Sequence, residues 1–448
     1  MKKTIRRQTV DILNSVSQSE AFAGNLIDAH LDQQNLSGTA DGRLLTHLVY
    51  GVLRMQGHLD WIISQFYRGD YAGMDENVKN ILRTGLYQLK FSERLPAFAV
   101  VNEAVKIAKE TTPAAAGLTN AVLRSYLRNP DKISFPSFDQ NPDLYIATFH
   151  SHPLWLVDLW LNIYGKEETL ALCRANNELP PLTIRINTLK ISVHDLMEKL
   201  KAEKFSCIKT RFSPDGINLS DSPTPIQKTI FYKEGLLRFQ DEAAQLVSYM
   251  VGPQDGENVL DACSGTGGKT LHLANMMNNC GRIMALDCDY EKITQLRKEA
   301  ARMGVSIIEP VQADLKYRLP AEYLRKFDHV LVDAPCSGTG TLRRNPEIKW
   351  RLTASSLDEF AKSQTSILHN ASDAVKKGGH LIYCTCSVLS LENEEVIRHF
   401  LTDHPDFTVL NPSTVFSEIP MDNRGFLRTY PHRHSMDGFF CALLKRRI

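Results

Sequence analysis

Long apolar runs are absent from this 448-residue sequence, in which 43% of the residues are hydrophobic and 23% are charged. No stretch reaches the ~18 apolar residues that a membrane-spanning helix needs, so we expect no membrane partner. The first residues, MKKTIRRQTVDILNSVSQ, are basic but are not followed by an apolar segment, which argues against a signal peptide. We therefore expect a cytoplasmic protein.

Cysteine is sparse, and the number and spacing of the cysteines argue against a disulfide framework and against a metal site. Nine cysteines in a chain of this length are too few for a disulfide framework. LIYCTCS contains a Cys-x-Cys pair, but the sequence has no Cys-x-x-Cys pair to complete a four-ligand site, so we expect no bound metal. Most of the thiols are expected to be free and to pack as small hydrophobic side chains.

A dominant charge sign is also missing, since the formal net charge is only +1. A global field that attracts nucleic acid is therefore not expected. The charge is uneven, however, because RRNPEIKWR (residues 343–351) carries four basic residues against one acidic residue. Such a segment is more often solvated surface than a binding site, but this one follows Cys336 closely in the sequence.

The usual nucleotide-binding motifs are incomplete. LDACSGTGGKT (residues 260–270) predicts a strand, a glycine-rich turn and the start of a helix. It is not a Walker A loop, because Cys263 stands where the first glycine belongs, and it is not a dinucleotide motif, because Thr270 replaces the third glycine. The glycines still allow a ligand to approach the helix N-terminus, which favours a nucleoside over a triphosphate or dinucleotide. The alternative is a tight turn that binds nothing.

The apolar periodicity divides the chain into three regions. Residues 1–132 show helical spacing without strand alternation and are predicted to form an all-helical domain. After a linker rich in Pro, Asp and Ser, residues 145–237 mix helical and strand patterns as a small α/β module. Strands alternate with helices over residues 238–448, which predicts a doubly wound parallel sheet that binds ligands at the carboxyl ends of its strands.

Acidic residues end successive strands of the predicted sheet, at Asp261, Asp287, Asp314 and Asp333. Asp287 is expected to accept hydrogen bonds from a ribose, whereas Asp289, its competitor, is expected to cap the following helix. Asp314 lies where an adenine amino group is expected. Each residue alone has an ordinary explanation as a cap or surface residue, but four together are hard to explain by packing.

Two cysteines lie at predicted strand ends, Cys336 just after Asp333 and Cys386 at the end of LIYCTC. Attack of a thiolate on C6 of a pyrimidine turns the unreactive C5 into an enamine carbon that can take up a methyl group. An acid must assist at N3, for which Asp333 is well placed, and a second thiol has a role when the first one leaves. The other strand cysteines are more simply explained as packing residues: Cys263, Cys288, Cys384 and Cys441.

Three motifs of the sequence resemble those of the Fmu/Sun (RsmB) family of RNA cytosine-C5 methyltransferases: DACSGTGGKT, DAPCSGTGTLRRNPEIKW and YCTCSVLSLENEEV. The segments RINTLK, GLLRFQDEAAQLV and YPHRHSMDGFFCALL also resemble that family, and LVYGVLR and GLTNAVLRSYLR resemble its NusB-type RNA-binding domain. The resemblance spans nearly the whole chain. It implies an all-α NusB-like N-terminal domain, a small α/β RNA-binding module and a C-terminal Rossmann-like class I methyltransferase domain.

The resemblance also implies roles for single residues. Cys386 would be the nucleophile, Cys336 would assist release of the product, and S-adenosylmethionine would be the methyl donor. The implied cofactor contacts are Cys263, Ser264, Gly265, Thr266, Gly267, Gly268, Lys269, Asp287, Asp314 and Asp333. In the family's loop a proline usually stands in the part that reads Ser-Gly-Thr here, so the loop lacks that rigidity.

The implied substrate is one cytosine of 16S ribosomal RNA, free or within a partly assembled small ribosomal subunit, acted on by a monomer. Arg343, Arg344 and Lys349 would hold the RNA backbone around a base that has left its stack. A catalytically inactive RNA-binding factor is the main alternative. A dehydrogenase is disfavoured by the failed glycine spacing, and a DNA cytosine methyltransferase by the absence of a Glu-Asn-Val element after the Pro-Cys motif.

Overall fold

The chain folds into two compact units, each assembled from two stretches of sequence. The computed structural model describes residues 3–19, 21–92, 95–411 and 419–448. The first unit comprises Met1–Leu179 and Leu342–Arg351, and the second comprises Pro180–Thr341 and Leu352–Ile448. Residues 342–351 thus lie in the first unit, although the periodicity put them in the third region. The boundaries of the three predicted regions stay a prediction, and residue 1 lies outside the described residues.

The first unit is helical in its described part. Its helices are α1 Ile5–Gln18, α2 Ala23–Gln33, α3 Ala40–Phe66, α4 Glu76–Phe91, α5 Ala97–Thr111, α6 Ala116–Arg128, α7 Pro142–Phe149, α8 Leu154–Tyr164, α9 Lys166–Asn176 and the short α15 Ile348–Arg351. Thr4 and Asp75 cap α1 and α4, because each side chain accepts a hydrogen bond from a backbone N–H in the first turn. Leu48, Leu82 and Leu123 lie in its core, where each contributes about 1.5–3 kcal/mol through burial.

The second unit contains a small antiparallel sheet in the order β2-β3-β1-β4. Its strands are β1 Leu182–Ile186, β2 Ser206–Lys209, β3 Gly216–Asp221 and β4 Leu237–Phe239, and it is accompanied by α10 Val193–Ala202 and α11 Ile230–Lys233. Ile184 and Leu237, on neighbouring strands, pack with Leu196 of α10 in one apolar cluster. The strand predicted from LTIRINTLK is present as β1.

The larger sheet has the order β10-β12-β9-β8-β5-β6-β7, with β11 paired to β12. Its strands are β5 Asn258–Asp261, β6 Arg282–Asp287, β7 Ile308–Gln312, β8 Phe327–Asp333, β9 Val375–Thr385, β10 Phe407–Val409, β11 Leu427–Arg428 and β12 Phe440–Arg446. Its helices are α12 Glu242–Val251, α13 Gly268–Met276, α14 Tyr290–Met303, α16 Ala354–Ser372, α17 Glu394–Asp403 and α18 Pro431–His434. The strand order reverses between β5 and β8, which makes their carboxyl ends the expected binding edge.

The sheet is mixed rather than wholly parallel. β5 to β9 pair in parallel, but β12 runs antiparallel to β9 and β10 runs antiparallel to β12. The expectation of a parallel sheet was therefore wrong for the β12 side, because a strand's apolar pattern does not record its direction. An antiparallel edge on an otherwise parallel sheet is common. Within the described residues, no helix combines the length and apolar composition that a membrane crossing requires.

Candidate active site

The glycine-rich loop between β5 and α13 is held by backbone hydrogen bonds. The N–H of Ser264 donates to the carbonyl of Leu286 (2.7 Å), and that of Gly267 donates to the carbonyl of Ser264 (2.9 Å). Gly267 has a φ of +86°, and an added Cβ would lie 2.2 Å from Cδ1 of Leu296, so glycine is required there. The turn therefore places the start of α13 at the carboxyl edge of the sheet.

Two buried polar groups around this loop could form further hydrogen bonds. Within the described residues, the Ser264 hydroxyl and Oδ1 of Asp261 are buried and have no hydrogen-bond partner. Burial raises the pKa of Asp261 to about 7, although its Oδ2 accepts a bond from Thr270 (2.7 Å). An added Cβ on Gly265 would meet nothing within 4 Å. A buried hydroxyl, a buried carboxylate oxygen and open space beside a backbone turn fit a polar ligand of the nucleoside class.

The other acidic strand ends have different environments. Asp287 is buried, and its Oδ2 accepts the N–H of Gly265 (2.9 Å), so it is tied to the glycine-rich loop. Asp289 caps α14 as predicted, since its side chain accepts bonds from the first turn of that helix. Asp314 is exposed and accepts the N–H of Lys316 (2.9 Å). The roles of Asp287 and Asp314 toward a ligand stay predictions.

Asp333 forms the charged centre of the site with Lys269. The two side chains form an ion pair with an Nζ–Oδ2 distance of 2.6 Å. Burial alone would lower the pKa of the Lys269 ammonium, but the Asp333 carboxylate more than offsets it, so the pKa lies above its ordinary value. Cys384, interpreted from the sequence as a packing residue, is buried and also donates a hydrogen bond from its Sγ to Oδ1 of Asp333 (3.3 Å). Lys269 thus joins the glycine-rich loop to the end of β8.

The structure brings the two predicted thiols together. β8 and β9 pair in parallel, with Asp333 opposite Cys384, so the loops that follow them emerge side by side. The Sγ atoms of Cys336 and Cys386 are 3.3 Å apart, and both side chains are half-buried. The predicted strand-end positions agree with this proximity, because the carboxyl ends of neighbouring parallel strands share an edge.

Close backbone packing fixes the Cys336 loop. The N–H of Gly340 donates to the carbonyl of Cys386 (2.9 Å), and the N–H of Gly438 donates to the carbonyl of Gly340 (2.8 Å). An added Cβ on Gly340 would lie 1.9 Å from the carbonyl oxygen of Gly438, so no side chain fits at that position. This contact explains why the sequence has glycines in both SGTG and MDGFF.

The environments of the thiols favour a proton on Cys336. Its hydrogen bond with Cys386, its burial and the nearby negative charge of Glu392 raise the pKa of Cys336 well above its ordinary value. The thiolate is the nucleophilic form of cysteine. The protonated form of Cys336 is therefore favoured in this environment, and the catalytic roles of the two thiols stay predictions.

Two arginines that sequence reasoning missed hold the glycine-rich loop. Arg238 donates from Nη2 to the carbonyl (2.9 Å) and to the hydroxyl (3.0 Å) of Thr266, and Nη1 of Arg185 donates to the carbonyl of Gly268 (2.7 Å). Both arginines come from strands of the small sheet, β4 and β1. The only signal was their presence in the segments RINTLK and GLLRFQDEAAQLV, because a contact between distant elements leaves no local pattern.

The basic segment packs inside the helical unit. The ammonium of Lys349 is buried and donates to the carbonyl of Arg54 (3.0 Å) and to Oδ1 of Asn177 (3.3 Å). Burial lowers the pKa of Lys349 to about 7. Arg343 is also buried, and Arg344 is half-buried. RNA contacts by these three residues stay predictions, and for Lys349 such a contact requires the segment to leave this position.

Three protein-family models together match most of the chain. Residues 3–128 match the NusB family, residues 152–227 match the ferredoxin-like domain of RsmF/B-like methyltransferases, and residues 248–445 match the family described as 16S rRNA methyltransferase RsmB/F. With a Rossmann-like sheet and a glycine-rich loop at its switch point, the chain is an S-adenosylmethionine-dependent RNA methyltransferase. The predicted fold class is confirmed.

Full-length relatives identify the family. The probable ribosomal RNA small subunit methyltransferase B of Bacillus subtilis (strain 168) is 35% identical, with 100% of each chain covered. The corresponding Synechocystis protein is 33% identical, with 97% of this chain and 98% of the relative covered. The crystal structure of PH0851 covers 100% of both chains with a TM-score of 0.84 and 27% identity. The chain belongs to the RsmB/F family of 16S rRNA methyltransferases.

Proposed function

We propose that the protein methylates C5 of one cytosine in 16S ribosomal RNA through a covalent bond between Cys386 and C6 of the base. The observation that carries this proposal is the pair of thiols 3.3 Å apart at the ends of adjacent parallel strands, beside the Asp333–Lys269 ion pair. A thiol pair in which Cys336 is favoured to keep its proton suits a reaction in which one sulfur attacks and the other manages a proton.

Each step has a residue that the geometry can supply. The Cys386 thiolate attacks C6, a double bond forms between C4 and C5, and N3 takes up a proton that passes from the Lys269 ammonium through Asp333. S-adenosylmethionine, when bound, supplies the methyl group that C5 takes up. Cys336 then gives its proton to the departing sulfur of Cys386, and the resulting Cys336 thiolate removes the hydrogen from C5. N3 returns its proton through Asp333 to Lys269, so the reaction releases one proton to solvent once Cys386 ionises again.

The glycine-rich loop would hold the methyl donor. We assign the residues from Cys263 to Lys269 to this contact, together with Asp287 for the ribose and Asp314 for the adenine. The unpartnered Ser264 hydroxyl supports this assignment, since it is buried and adjoins the open space at Gly265. Lys269 steadies Asp333 rather than the loop alone, because its ammonium lies in the ion pair.

The RNA partner would be 16S ribosomal RNA, free or in a partly assembled small subunit, met by a monomer in the cytoplasm. The names of the relatives support the small-subunit substrate, because they act on small-subunit ribosomal RNA by name. Arg344 is the residue of the basic segment that we propose to contact the RNA backbone first, since Arg343 and Lys349 are buried.

The proposal is tested by trapping the covalent intermediate. Cys336→Ala and Cys386→Ala are incubated with unmethylated 16S RNA and S-adenosylmethionine, and the products are run on a denaturing gel. We expect Cys336→Ala to accumulate a protein–RNA band, because its release step is blocked, and Cys386→Ala to form none. Cys280→Ala is the matched control, since Cys280 is exposed and free.

Other outcomes have definite meanings. A band with Cys386→Ala but not with Cys336→Ala reverses the two roles. If no variant forms a band and the wild-type protein transfers no methyl group to cytosine in RNA, the C5 proposal fails and a role in RNA binding alone is favoured.

A further inference from the structure

Glu392 is a buried carboxylate that the proposed mechanism does not use. Its exposed fraction is 0%, and it lies at the end of a 3₁₀ turn, Ser390–Glu392, after the Cys386 loop. Oε1 accepts the N–H of Ser337 (2.8 Å) and Nε2 of Gln364 (3.0 Å). Oε2 accepts the hydroxyls of Ser337 and Ser387, each at 2.5 Å. All four bonds come from neutral donors.

These bonds connect the two thiol loops through one side chain. Ser337 directly follows Cys336, and Ser387 directly follows Cys386. The hydroxyl of Thr339 adds a 3.0 Å contact to that of Ser387 and accepts the N–H of Val388 (3.1 Å). The residues adjacent to both sulfurs are therefore fixed to the same carboxylate.

The hydrogen-bond partners of the Glu392 carboxylate in the described residues are neutral groups, not cations. In the described part of the chain, the carboxylate forms no ion pair, and the titratable groups that face Cys336 are Cys386, Tyr383 and Glu392 itself. The cation of the candidate site, Lys269, pairs with Asp333. A buried negative charge beside a thiol disfavours the thiolate form of that thiol.

We propose that Glu392 is a positioning residue that holds Cys336 and Cys386 at hydrogen-bonding distance and places a buried carboxylate beside Cys336, so that this thiol keeps its proton. This inference deepens the proposed function and rests on its assignment of two roles to the two thiols. Glu392 acts through Ser337 and Ser387, so it is not itself a catalytic residue.

Turnover tests the positioning role. Glu392→Gln keeps the shape but removes the charge and supplies donors where only acceptors fit, and Glu392→Asp keeps the charge but shortens the reach. We expect kcat for RNA methylation to fall by about 100-fold in Glu392→Gln, as for small displacements of reacting groups, with the KM for S-adenosylmethionine unchanged. Glu395→Gln is the control, because Glu395 lies on α17 and contacts Ser390 rather than the thiol loops.

Alkylation of Cys336 tests the charge without any RNA. The pH dependence of iodoacetamide labelling at Cys336 is measured by peptide mass in the Cys386→Ser background. We expect Glu392→Gln to move the midpoint to lower pH, whereas Glu392→Asp and Glu395→Gln leave it in place. An unmoved midpoint together with wild-type kcat in Glu392→Gln would overturn the proposal.

Two further measurements distinguish a failure of the Glu392 proposal from misfolding of the variant and from failure of the proposed function. If thermal melting shows that Glu392→Gln does not fold, Ser337→Ala and Ser387→Ala each remove one hydroxyl bond, and wild-type kcat in both would also overturn it. The labelling midpoint does not depend on the RNA substrate. A shifted midpoint with no cytosine methylation by the wild-type protein would therefore refute the proposed function, while the effect of Glu392 on the Cys336 proton would still be shown.

Discussion

The glycine-rich loop after β5 and the thiol loops after β8 and β9 lie at one edge of one sheet, but they are held in different ways. The glycine-rich loop is fixed from outside, by Arg238 and Arg185 of the small sheet acting on Thr266 and Gly268. The thiol loops are fixed from inside, by the buried carboxylate of Glu392. The difference teaches that the two loop regions rest on separate supports, so under their proposed roles defects in donor binding and in bond-making should be separable.

Lys269 connects the two regions, and we expect its substitution to have the largest effect. The residue lies in the first turn of α13 beside the glycine-rich loop, but its ammonium pairs with Asp333. We expect Lys269→Met to lower kcat by about 100-fold, because Asp333 loses the partner that orients it. The measurement is the steady-state rate of methyl transfer over a range of donor concentrations.

The same substitution at Lys292 is the control for Lys269. Lys292 is about half exposed and lies 3.9 Å from Asp287, so Lys292→Met should leave kcat unchanged. A Lys269→Met variant with normal kcat and a raised KM for the donor would place Lys269 with the glycine-rich loop and break the comparison.

Arg238 is expected to produce an intermediate effect of the opposite kind. Arg238→Ala removes both bonds to Thr266, so the loop that we propose to receive the donor loses an external support. We expect the KM for S-adenosylmethionine to rise by about 10-fold, which corresponds to two hydrogen bonds of about 0.5–1.5 kcal/mol each, with kcat nearly unchanged. Donor titration in the methylation assay checks this split.

Arg282→Ala is the matched substitution for Arg238, because Arg282 forms an exposed ion pair with Glu309 away from the loop. Its kinetic constants should equal those of the wild-type protein. If Arg238→Ala lowers kcat and leaves KM alone, the small sheet supports bond-making instead.

Asp261 is expected to give the smallest effect, seen as a pH dependence of stability. Burial raises its pKa in the folded protein to about 7, above the ~3.9 of an unfolded chain. Between these values the folded state binds more protons, so this group's contribution to the free energy of unfolding falls as pH rises from about 4 to 7 and is constant above. We expect Asp261→Asn to weaken that fall.

Urea unfolding of wild type and Asp261→Asn at pH 5 and pH 8 measures this contribution. The wild-type protein should lose more stability between the two pH values than the variant does. Equal losses in both proteins would show that Asp261 is ionised throughout, and that the loop already stabilises its charge.

Much of this edge could be predicted from the sequence because its signals are local. Glycine spacing located the turn before α13, and strand-end positions placed Cys336 and Cys386 together. The supports could not be predicted in the same way. Arg238 reaches Thr266 from another sheet, and Cys384 alternates on its strand like a packing residue until Asp333 is seen beside it. The direction of β12 was missed because side-chain alternation is the same for both directions.

The basic segment shows the same limit in another form. Its charge pattern favoured a surface, yet Lys349 and Arg343 are buried in the helical unit. Their burial depends on acceptors such as the carbonyl of Arg54, far away in the sequence. The number of charged residues in a segment gives no information about the distant backbone carbonyls that accept hydrogen bonds from them.

The membership of residues 342–351 in the helical unit has a consequence for synthesis of the chain. Trp350 donates from Nε1 to the carbonyl of Leu53 (2.8 Å), and Glu347 accepts the N–H of Ala23 (2.8 Å), so the N-terminal helices obtain part of their packing from residues translated much later. At ordinary elongation rates, the ribosome takes roughly 10–30 s to pass from residue 179 to residue 351. During that interval the N-terminal helices lack the contacts of residues 342–351, which have not yet been synthesised.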